Sequence, residues 1–304
     1  MAIDTNPITR LATILIVGPG LLGGSVGLGL KAAGFAGKVI GDARNQATLD
    51  MAIKVGCIDQ GATDLISVAG QADLILIATP LKAFRHVMQL MRDHLKPGVI
   101  ITDVGSTKCS VIDDAKAIFT AEQLKHFVPS HPMAGSESQG PQSASAQMLK
   151  DRPCIVTPIP GNDPSDVKLV KNLWQLLGMQ VIEMTAQQHD EQSAVISHLP
   201  HLLNVLQVQT AVQMGGLEMA STGFQGATRL ASSNPTIRAD ILECNRDAIL
   251  TVIQGFETQL NQIKQQIKAG DREGLLDALE QAKNTRDQWA MDFEHRGDSG
   301  KTDM

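Results

Sequence analysis

The feature that most constrains this chain is a glycine-rich turn between an apolar run and a segment of small residues. The run ILIV at positions 14–17 is apolar and rich in β-branched residues, and the pattern Gly-x-Gly-x-x-Gly follows it at positions 18–23. The segment after the turn has only small and apolar residues and predicts a helix. A strand, this turn and a helix, in that order, are typical of the phosphate-binding corner of a dinucleotide fold.

Each glycine of the turn has a separate predicted role. Gly18 permits the tight turn, Gly20 lets a pyrophosphate approach the backbone, and Gly23 lets the helix pack on the strand. The anion then binds the free N–H groups and the positive dipole end of the helix. A plain glycine turn is the alternative, but a second strand at 38–41, about 20 residues further on, favours the cofactor site. The predicted cofactor contacts in this corner are Gly18, Gly20, Leu21, Leu22 and Gly23.

Composition excludes several classes of protein. Six glycines and a proline between positions 18 and 29 make a poor membrane helix, and the preceding residues are too weakly basic for a signal peptide. A net charge of −6 predicts neither a nucleic-acid nor a membrane partner. The 4 cysteines form no CxxC pair, so we expect no metal site and no disulfide framework, and a reducing, cytoplasmic location.

The chain divides into an alternating half and a helical half. Strands and helices alternate over 11–185, which predicts an α/β, Rossmann-like, doubly wound and mostly parallel sheet. Amphipathic helices over 186–296 predict an all-helical domain, either for dimerisation or packed on its own first half. We expect residues 1–10 and 297–304 to be flexible. Later elements predicted are strands at 73–78, 99–103, 126–129, 154–157 and 179–184, and helices at 108–119, 164–177, 187–214, 235–269 and 271–289.

Two polar clusters fall at predicted strand ends, where a doubly wound fold places its ligands. In DVGSTK at 103–108, Ser106 is either a helix N-cap or an active-site hydroxyl, and the two roles are compatible. In SHPMAGSE at 130–137, His131 follows a strand end and precedes a Pro- and Gly-containing loop. A lone histidine is usually structural, but this position favours proton transfer.

A third cluster lies in the helical half. His198 and His201 share one helical face, but no carboxylate or cysteine at a matching spacing favours a metal, so packing or substrate binding is expected. Arg229 lies in a region poor in other charges, which suits bidentate capture of a carboxylate. An ordinary surface ion pair is the alternative for Arg229.

These motifs together resemble the prephenate/arogenate (cyclohexadienyl) dehydrogenase family. The pieces that carry the resemblance are VGPGLLGGS, DVGSTK, SHPMAG, SHLPH and ATR, in the family's order and spacing, over about residues 11–296. The resemblance implies a dinucleotide domain, a helical dimerisation domain and a homodimer. It implies an oxidative decarboxylation of prephenate or arogenate in tyrosine synthesis, in which the C4 hydroxyl loses a proton, C4 gives a hydride to the nicotinamide, and the ring carboxylate leaves as CO₂.

The resemblance also implies residue roles. His131 matches the catalytic base, Ser106 the serine that orients the base and the substrate, and Arg229 the arginine that clamps a substrate carboxylate. His201 matches a substrate-pocket histidine with His198 as its companion. The last implied contact is Glu137, at the mouth of the pocket.

The chain departs from the family pattern at two places. Gln225-Gly226-Ala227 stands where some members carry an acidic residue, and Thr236-Ile237-Arg238 where some carry a tryptophan. The preference between prephenate and arogenate therefore stays open. Two other functions also stay open: another nicotinamide-dependent hydroxyacid-type dehydrogenase, although 193–204 contains no lysine for its base, and a non-catalytic nucleotide sensor.

The cofactor preference depends on the end of the second strand. Asp42 has the spacing of the acidic residue that binds the ribose of NAD. Laid on the family's Gly-x-Asp pattern without gaps, however, the acidic position falls on Ala43, and Asp42 is expected to face the other side of the strand. Arg44 then meets a 2′-phosphate, which favours NADP with NAD as the alternative. The next strand ends at Thr79 and Pro80, which complete the predicted cofactor contacts.

Overall fold

A computed structural model describes residues 6–136 and 138–298 of the chain. Contacts within the chain divide it into two compact units, the first ending at Arg246 and the second beginning at Asp247. This division lies later than the change from alternating to helical structure, which follows the last strand at Glu183. The predicted boundary at 185/186 therefore marks a change of secondary structure, and not the contact-based division.

In the described part of the chain, eight strands form two sheets. The strands are β1 (Thr13–Val17), β2 (Lys38–Asp42), β3 (Gln60–Ala62), β4 (Leu74–Ile77), β5 (Ile100–Asp103), β6 (Ser130–Pro132), β7 (Pro153–Val156) and β8 (Gln180–Glu183). The first sheet is parallel throughout, in the order β3-β2-β1-β4-β5. Its chain order reverses between β1 and β4, and a doubly wound fold binds its ligand at the carboxyl ends of such neighbours.

Helices connect and cover these strands. In the first unit they are α1 (Leu21–Ala32), α2 (Gln46–Lys54), α3 (Leu65–Ala69), α4 (Phe84–Met91), α5 (Cys109–Ile118), α6 (Ala121–Lys125), α7 (Pro164–Leu176), α8 (Ala186–Ser193), α9 (Leu199–Met214), α10 (Thr222–Ala227) and α11 (Pro235–Cys244). Two long helices follow, α12 (Arg246–Ala269) and α13 (Arg272–Asp298). The prediction of a Rossmann-like α/β fold followed by helices is confirmed.

The continuous apolar runs form strands because both faces of the first sheet are buried. Along β1, Ile14 and Ile16 join one hydrophobic cluster, whereas Leu15 and Val17 join the other, and all four side chains are buried. Side chains alternate between the faces of a strand, so a sheet covered on both sides needs apolar residues at every position.

The glycine turn has the local geometry that its sequence predicts. Gly18 has φ +92°, and a Cβ there would lie 2.8 Å from the Ala78 carbonyl oxygen. A Cβ on Gly23 would lie 2.4 Å from the Gly18 oxygen, so only glycine lets α1 pack this closely on β1. A Cβ on Gly20 would meet no atom of the described chain within 4 Å, which leaves this position open to a ligand.

The pairing is mostly parallel, as predicted, but three strands form a second sheet, and the predicted strand at 126–129 is wrong. Strand β6 begins at Ser130 and pairs antiparallel with β7, while β7 and β8 are parallel. Residues before it contribute only an isolated bridge, from Phe127 to Ile101 of β5. The short apolar run 126–129 therefore connects the sheets, and the ladder forms where the chain can pair with β7.

The predicted helix 187–214 is interrupted by a π-helical turn at Ala194–His198. Pro200, in the first turn of α9, lacks a backbone N–H, so the regular ladder loses a donor at this point. The predicted helix 235–269 breaks at Asn245, whose side chain donates to the Asp190 carbonyl at 2.8 Å. Both interruptions contribute a side chain to the site described below.

The predicted flexible ends are only partly described. Residues Pro7–Arg10 form a 3₁₀ turn in which Asn6 caps the Ile8 N–H at 3.0 Å, and Ile8 is fully buried. The expectation of a flexible 1–10 is therefore wrong for these residues. Helix α13 continues to Asp298, two residues into the predicted tail, and the rest of the tail lies outside the described residues, as do residues 1–5.

A membrane span is not found among the helices of residues 6–136 and 138–298: each is too short or too polar to cross a bilayer.

Gly27 of α1 offers a test of this close packing. An ideal Cβ at Gly27 would lie 2.0 Å from the Cys57 carbonyl oxygen, and backbone cannot move aside as a flexible side chain can. We expect Gly27→Ala to lower the free energy of unfolding by about 1–3 kcal/mol, measured by urea titration.

The control is Gly223→Ala in α10, where a Cβ meets no described atom within 4 Å. This change should leave stability unaltered or raise it by about 0.5–1 kcal/mol. Equal effects of the two substitutions would contradict the packing argument.

Candidate active site

A cavity of about 430 Å³ lies at the carboxyl ends of β1, β2 and β4; we call it the cofactor cavity. The predicted cofactor residues that line it are Gly18, Gly20, Asp42, Ala43, Arg44, Thr79 and Pro80. A second cavity of about 350 Å³, the central cavity, shares Thr79 and Pro80 with the first and is also lined by Leu21 and Leu22. Gly23 is buried between α1 and β1, so its predicted contribution is to packing.

The wall beside β2 carries charges of both signs. Asp42, Asp64 and Arg44 all line the cofactor cavity. Burial, together with the charge of Asp64, raises the pKa of Asp42 to about 6. The expectation that Asp42 faces the opposite side is therefore wrong: β2 ends at Asp42, so strict alternation does not continue, and Asp42 and Ala43 line the same cavity.

Ser106 is a half-buried residue on the wall of the central cavity, with Gly135 and Ser136 on the same lining. It is not the N-cap of α5, which is Lys108. The N–H groups of Lys108 and Cys109 donate instead to the Asp190 carboxylate, at 2.7 and 2.9 Å. Ser106 thus has no capping role, and its hydroxyl is available to a ligand.

His131 is buried on β6, and its ring belongs to a hydrogen-bonded chain. Its Nδ1 lies 2.8 Å from Nε2 of His189, and Nδ1 of His189 lies 2.7 Å from the Asp190 carboxylate. The ring contact of His131 in the structure is with His189. The role of Ser106 in orienting this histidine and the substrate, which the resemblance implies, stays a prediction.

The hydrogen bonds from Asp190 through His189 to His131 determine which nitrogen of each neutral histidine carries the proton. An ionised carboxylate only accepts, so His189 donates from Nδ1 to Asp190 and keeps a lone pair on Nε2. His131 must then donate from Nδ1 to His189. Nε2 of His131 is left with a lone pair, which is the state that a general base requires.

Electrostatics keep the two histidines neutral. Burial, followed by the charges of His189, Lys108 and His198, lowers the pKa of His131 well below its ordinary value. Burial also lowers the pKa of His189, against the opposing hydrogen bond from Asp190. At neutral pH His131 therefore accepts a proton without first having to lose one.

A buried ion pair supports the strand that carries His131. Lys108 and Asp103 pair with each other, and both side chains are fully buried. Lys108 also donates to the Ser130 carbonyl at 2.6 Å, and Asp103 accepts from the Ser130 N–H at 3.0 Å. Both groups thus fix the residue next to His131.

His198 and His201 line a third cavity of about 240 Å³, which we call the histidine cavity. Burial lowers the pKa of each to about 4, so both are neutral at physiological pH. No group of His, Cys, Asp or Glu within 6–136 and 138–298 has the geometry of a metal site.

Two predicted substrate contacts stay predictions. Arg229 is exposed and outside the linings of the central and histidine cavities, although its charge contributes to the lowered pKa of His201. Glu137 lies outside the described residues.

Sequence reasoning missed Asn245, which lies inside the predicted helix 235–269, and three further residues of this site. His189 and Asp190 are adjacent in a polar helix without a recognisable motif, and Arg238 was noted only as a departure from the family. An adjacent His-Asp pair at the start of the helical half was the available signal. Its meaning depends on contacts with His131, 58 residues earlier in the chain.

A dinucleotide fold with an open glycine turn, cavities at the carboxyl ends of its strands and a buried neutral histidine on β6 is typical of nicotinamide-dependent dehydrogenases. The model of the prephenate dehydrogenase nucleotide-binding domain matches residues 26–183, and that of the prephenate dehydrogenase dimerization domain matches residues 185–281. The chain belongs to the prephenate dehydrogenase family, whose members are oxidoreductases.

Individual relatives agree with this assignment. The chain is 33% identical to a prephenate dehydrogenase of Bacillus subtilis (strain 168), over 90% of this chain and 75% of that protein. It is 31% identical to a cyclohexadienyl dehydrogenase of Zymomonas mobilis, over 90% of this chain and 94% of that protein. The chain also matches the crystal structure of prephenate dehydrogenase from A. aeolicus in complex with hydroxyphenyl propionate and NAD+. The TM-score is 0.85 and the identity 32%, over 91% of this chain and 97% of that one.

The His131–His189 contact generates a prediction. His189→Leu removes the acceptor that fixes the tautomer of His131. We expect kcat for reduced-cofactor formation to fall by roughly tenfold or more, because the ring is no longer held in the tautomer that leaves a lone pair on Nε2. The acidic limb of the pH profile of kcat/KM should also move to lower pH, because the protonated ring loses the acceptor that stabilises it.

The matched control is His94→Leu, at an exposed histidine. It should alter neither kcat nor the pH profile. A His189→Leu variant with the parent's pH profile would contradict the orienting role, even if its kcat fell.

Proposed function

We propose that this protein catalyses the NAD(P)-dependent oxidative decarboxylation of prephenate, arogenate or both, as a step of tyrosine synthesis. The observation that carries the proposal is the series of hydrogen bonds from Asp190 through His189 to His131. This series leaves a lone pair on Nε2 of a buried base. The named relatives support the choice of substrates. We further propose a domain boundary near 185/186, which agrees with the ends of the two matched domains.

The residues present fit a dinucleotide. Gly20 leaves an open cradle in which a Cβ would meet no described atom within 4 Å, and the first-turn N–H groups of α1, including Leu21 and Leu22, have no acceptor within the helix. These groups would hold the pyrophosphate, and Thr79 and Pro80 would border the nicotinamide side. When bound, the nicotinamide accepts the hydride.

The residues of the chain then perform three tasks. Nε2 of His131 takes the proton of the C4 hydroxyl, and the hydrogen bond to His189 and Asp190 stabilises the positive charge that develops on the ring. Ser106 donates to or accepts from the substrate hydroxyl on the central cavity wall. As C4 loses its hydride, the ring carboxylate leaves as CO₂ and the ring becomes aromatic, which supplies the driving force.

The remaining predicted contacts belong to this proposal. Arg229 binds a substrate carboxylate, His201 and His198 line the substrate pocket, and Glu137 contributes at its mouth. A homodimer is supported by the matched dimerization domain and by exposed apolar residues on the long helices, among them Leu260, Ile267 and Leu279. The cysteines of the described chain are free thiols, which supports a reducing, cytoplasmic location.

The test of the function is formation of reduced cofactor from prephenate and from arogenate. We expect His131→Asn to lower kcat by roughly 10²–10⁴-fold while cofactor affinity is kept, because asparagine cannot take the proton. In the parent, kcat/KM should stay constant as the pH falls through 6.5 and decrease only below it, since the pKa of His131 lies below its ordinary value and the protonated ring is inactive.

Two results would refute the proposed function. One is a parent that binds cofactor but reduces it with neither substrate, as a nucleotide sensor would. The other is a His131→Asn variant with the parent's kcat.

We also propose that NADP is preferred and that NAD is a weaker alternative. Ala43 occupies the acidic position of the family pattern, and Arg44 lines the cofactor cavity, where it would meet a 2′-phosphate. Asp42 on the same wall opposes that phosphate. The proposal therefore requires the attraction of Arg44 to exceed the repulsion from Asp42.

Two variants separate these charges. Arg44→Ala should lower kcat/KM for NADP by roughly tenfold and leave NAD nearly unchanged, whereas Asp42→Asn should raise kcat/KM for NADP. A parent that prefers NAD by tenfold or more, about 1.4 kcal/mol, would reject the preference.

A further inference from the structure

Arg238 lies on α11 in the wall that two cavities share. Its side chain lines the central cavity together with Ser106 and also the histidine cavity together with His198 and His201. A substrate whose ring lies beside Ser106 would therefore extend a substituent toward Arg238.

One donor of the half-buried Arg238 side chain, the Nε–H group, lacks a hydrogen-bond partner. Its Nε is buried and has no hydrogen-bond acceptor among residues 6–136 and 138–298, and burial lowers the pKa of Arg238. A buried charged donor without an acceptor is costly, and such groups in native proteins need an explanation. A bound anion would supply the missing acceptor.

A second donor without a partner, on His198, lines the histidine cavity. Asn245 donates its amide to the Asp190 carbonyl at 2.8 Å and to Nδ1 of His198 at 3.1 Å, so the proton of neutral His198 is on Nε2. That Nε2 is also buried without a partner in the described chain, and His198 is only 2% exposed. The histidine cavity thus presents two donors that a carboxylate or a keto oxygen would satisfy.

Among the described residues, the wall near Arg238 offers little to an ammonium group. No Asp or Glu of the described residues lines either cavity. His201 donates from Nδ1 to the Leu230 carbonyl at 3.3 Å and so leaves a lone pair on Nε2. This neutral acceptor does not offset the positive charge of Arg238.

We propose that Arg238 binds the carboxylate of the substrate's side chain and thereby favours the keto acid prephenate over the amino acid arogenate. This inference rests on the proposed function. The side-chain carboxylate is the suitable partner, since an ion pair with the ring carboxylate would stabilise the ground state of the group that must leave. The keto oxygen accepts from His198, whereas the ammonium of arogenate meets a cation.

The test compares kcat/KM for prephenate and arogenate in the parent, Arg238→Gln and Arg238→Lys. We expect the parent to prefer prephenate by roughly tenfold or more. Arg238→Gln should lose roughly tenfold or more with prephenate and much less with arogenate. Arg238→Lys should retain part of the preference, since a point charge replaces the bidentate fork.

A binding measurement provides a readout besides activity. Calorimetric titration uses 4-hydroxyphenylpyruvate and tyrosine, the products of prephenate and arogenate. The parent should bind 4-hydroxyphenylpyruvate more tightly than tyrosine, and Arg238→Gln should lose this difference. The control is Arg92→Gln, an exposed arginine paired with Asp93, which should change neither ratio. Melting curves for each variant identify any loss of folding.

The outcomes separate the two proposals. A parent that turns over neither substrate refutes the proposed function, whatever Arg238 does. A parent that turns over prephenate, with an unchanged ratio in both the kinetic and the binding measurement for a folded Arg238→Gln, refutes the role of Arg238 alone. A parent that prefers arogenate also refutes it.

Discussion

The buried ion pair between Lys108 and Asp103 is the interaction on which the active site depends. Two charges in a dry interior are tolerated only if their remaining donors and acceptors are satisfied. Here Asp103 accepts from the backbone of Gly105 and Ser130, and Lys108 donates to the Ser130 carbonyl. Because Asp103 is the last residue of β5 and Ser130 the first residue of β6, the pair links the two sheets next to His131.

Asp190 connects this support to the chemistry. Its carboxylate caps α5 through Lys108 and Cys109 and also accepts from His189. Its carbonyl accepts from Asn245, which orients His198. The same residue therefore anchors a helix, fixes the tautomer of His131 through His189, and orients His198 through Asn245. A change at Asp190 would disturb all three, so the individual roles are better separated by substitutions at His189 and Arg238.

The site separates permanent charge from titratable groups. The histidines are neutral because burial lowers their pKa values, while Lys108 and Arg238 supply positive charge. Lys108 is fully buried beside Asp103, whereas Arg238 lines two cavities, where an anion can reach it, and neutral His131 remains able to accept a proton. Protonated histidines in the same positions would attract the anion but could not act as bases.

The sequence by itself determined the parts of this protein that depend on neighbours in the chain. The glycine spacing at 18–23 and the continuous apolar run of β1 are local features, so the strand, turn and helix could be predicted, as could the position of Ser106 after a strand end. His131 was expected after a strand at 126–129 and lies within β6 instead. Only the tertiary structure decided the side of Asp42, the break at Asn245 and the partners of His131. Those depend on contacts between residues distant in sequence, such as His131 with His189, and a local pattern contains no information on which buried donor will meet which acceptor.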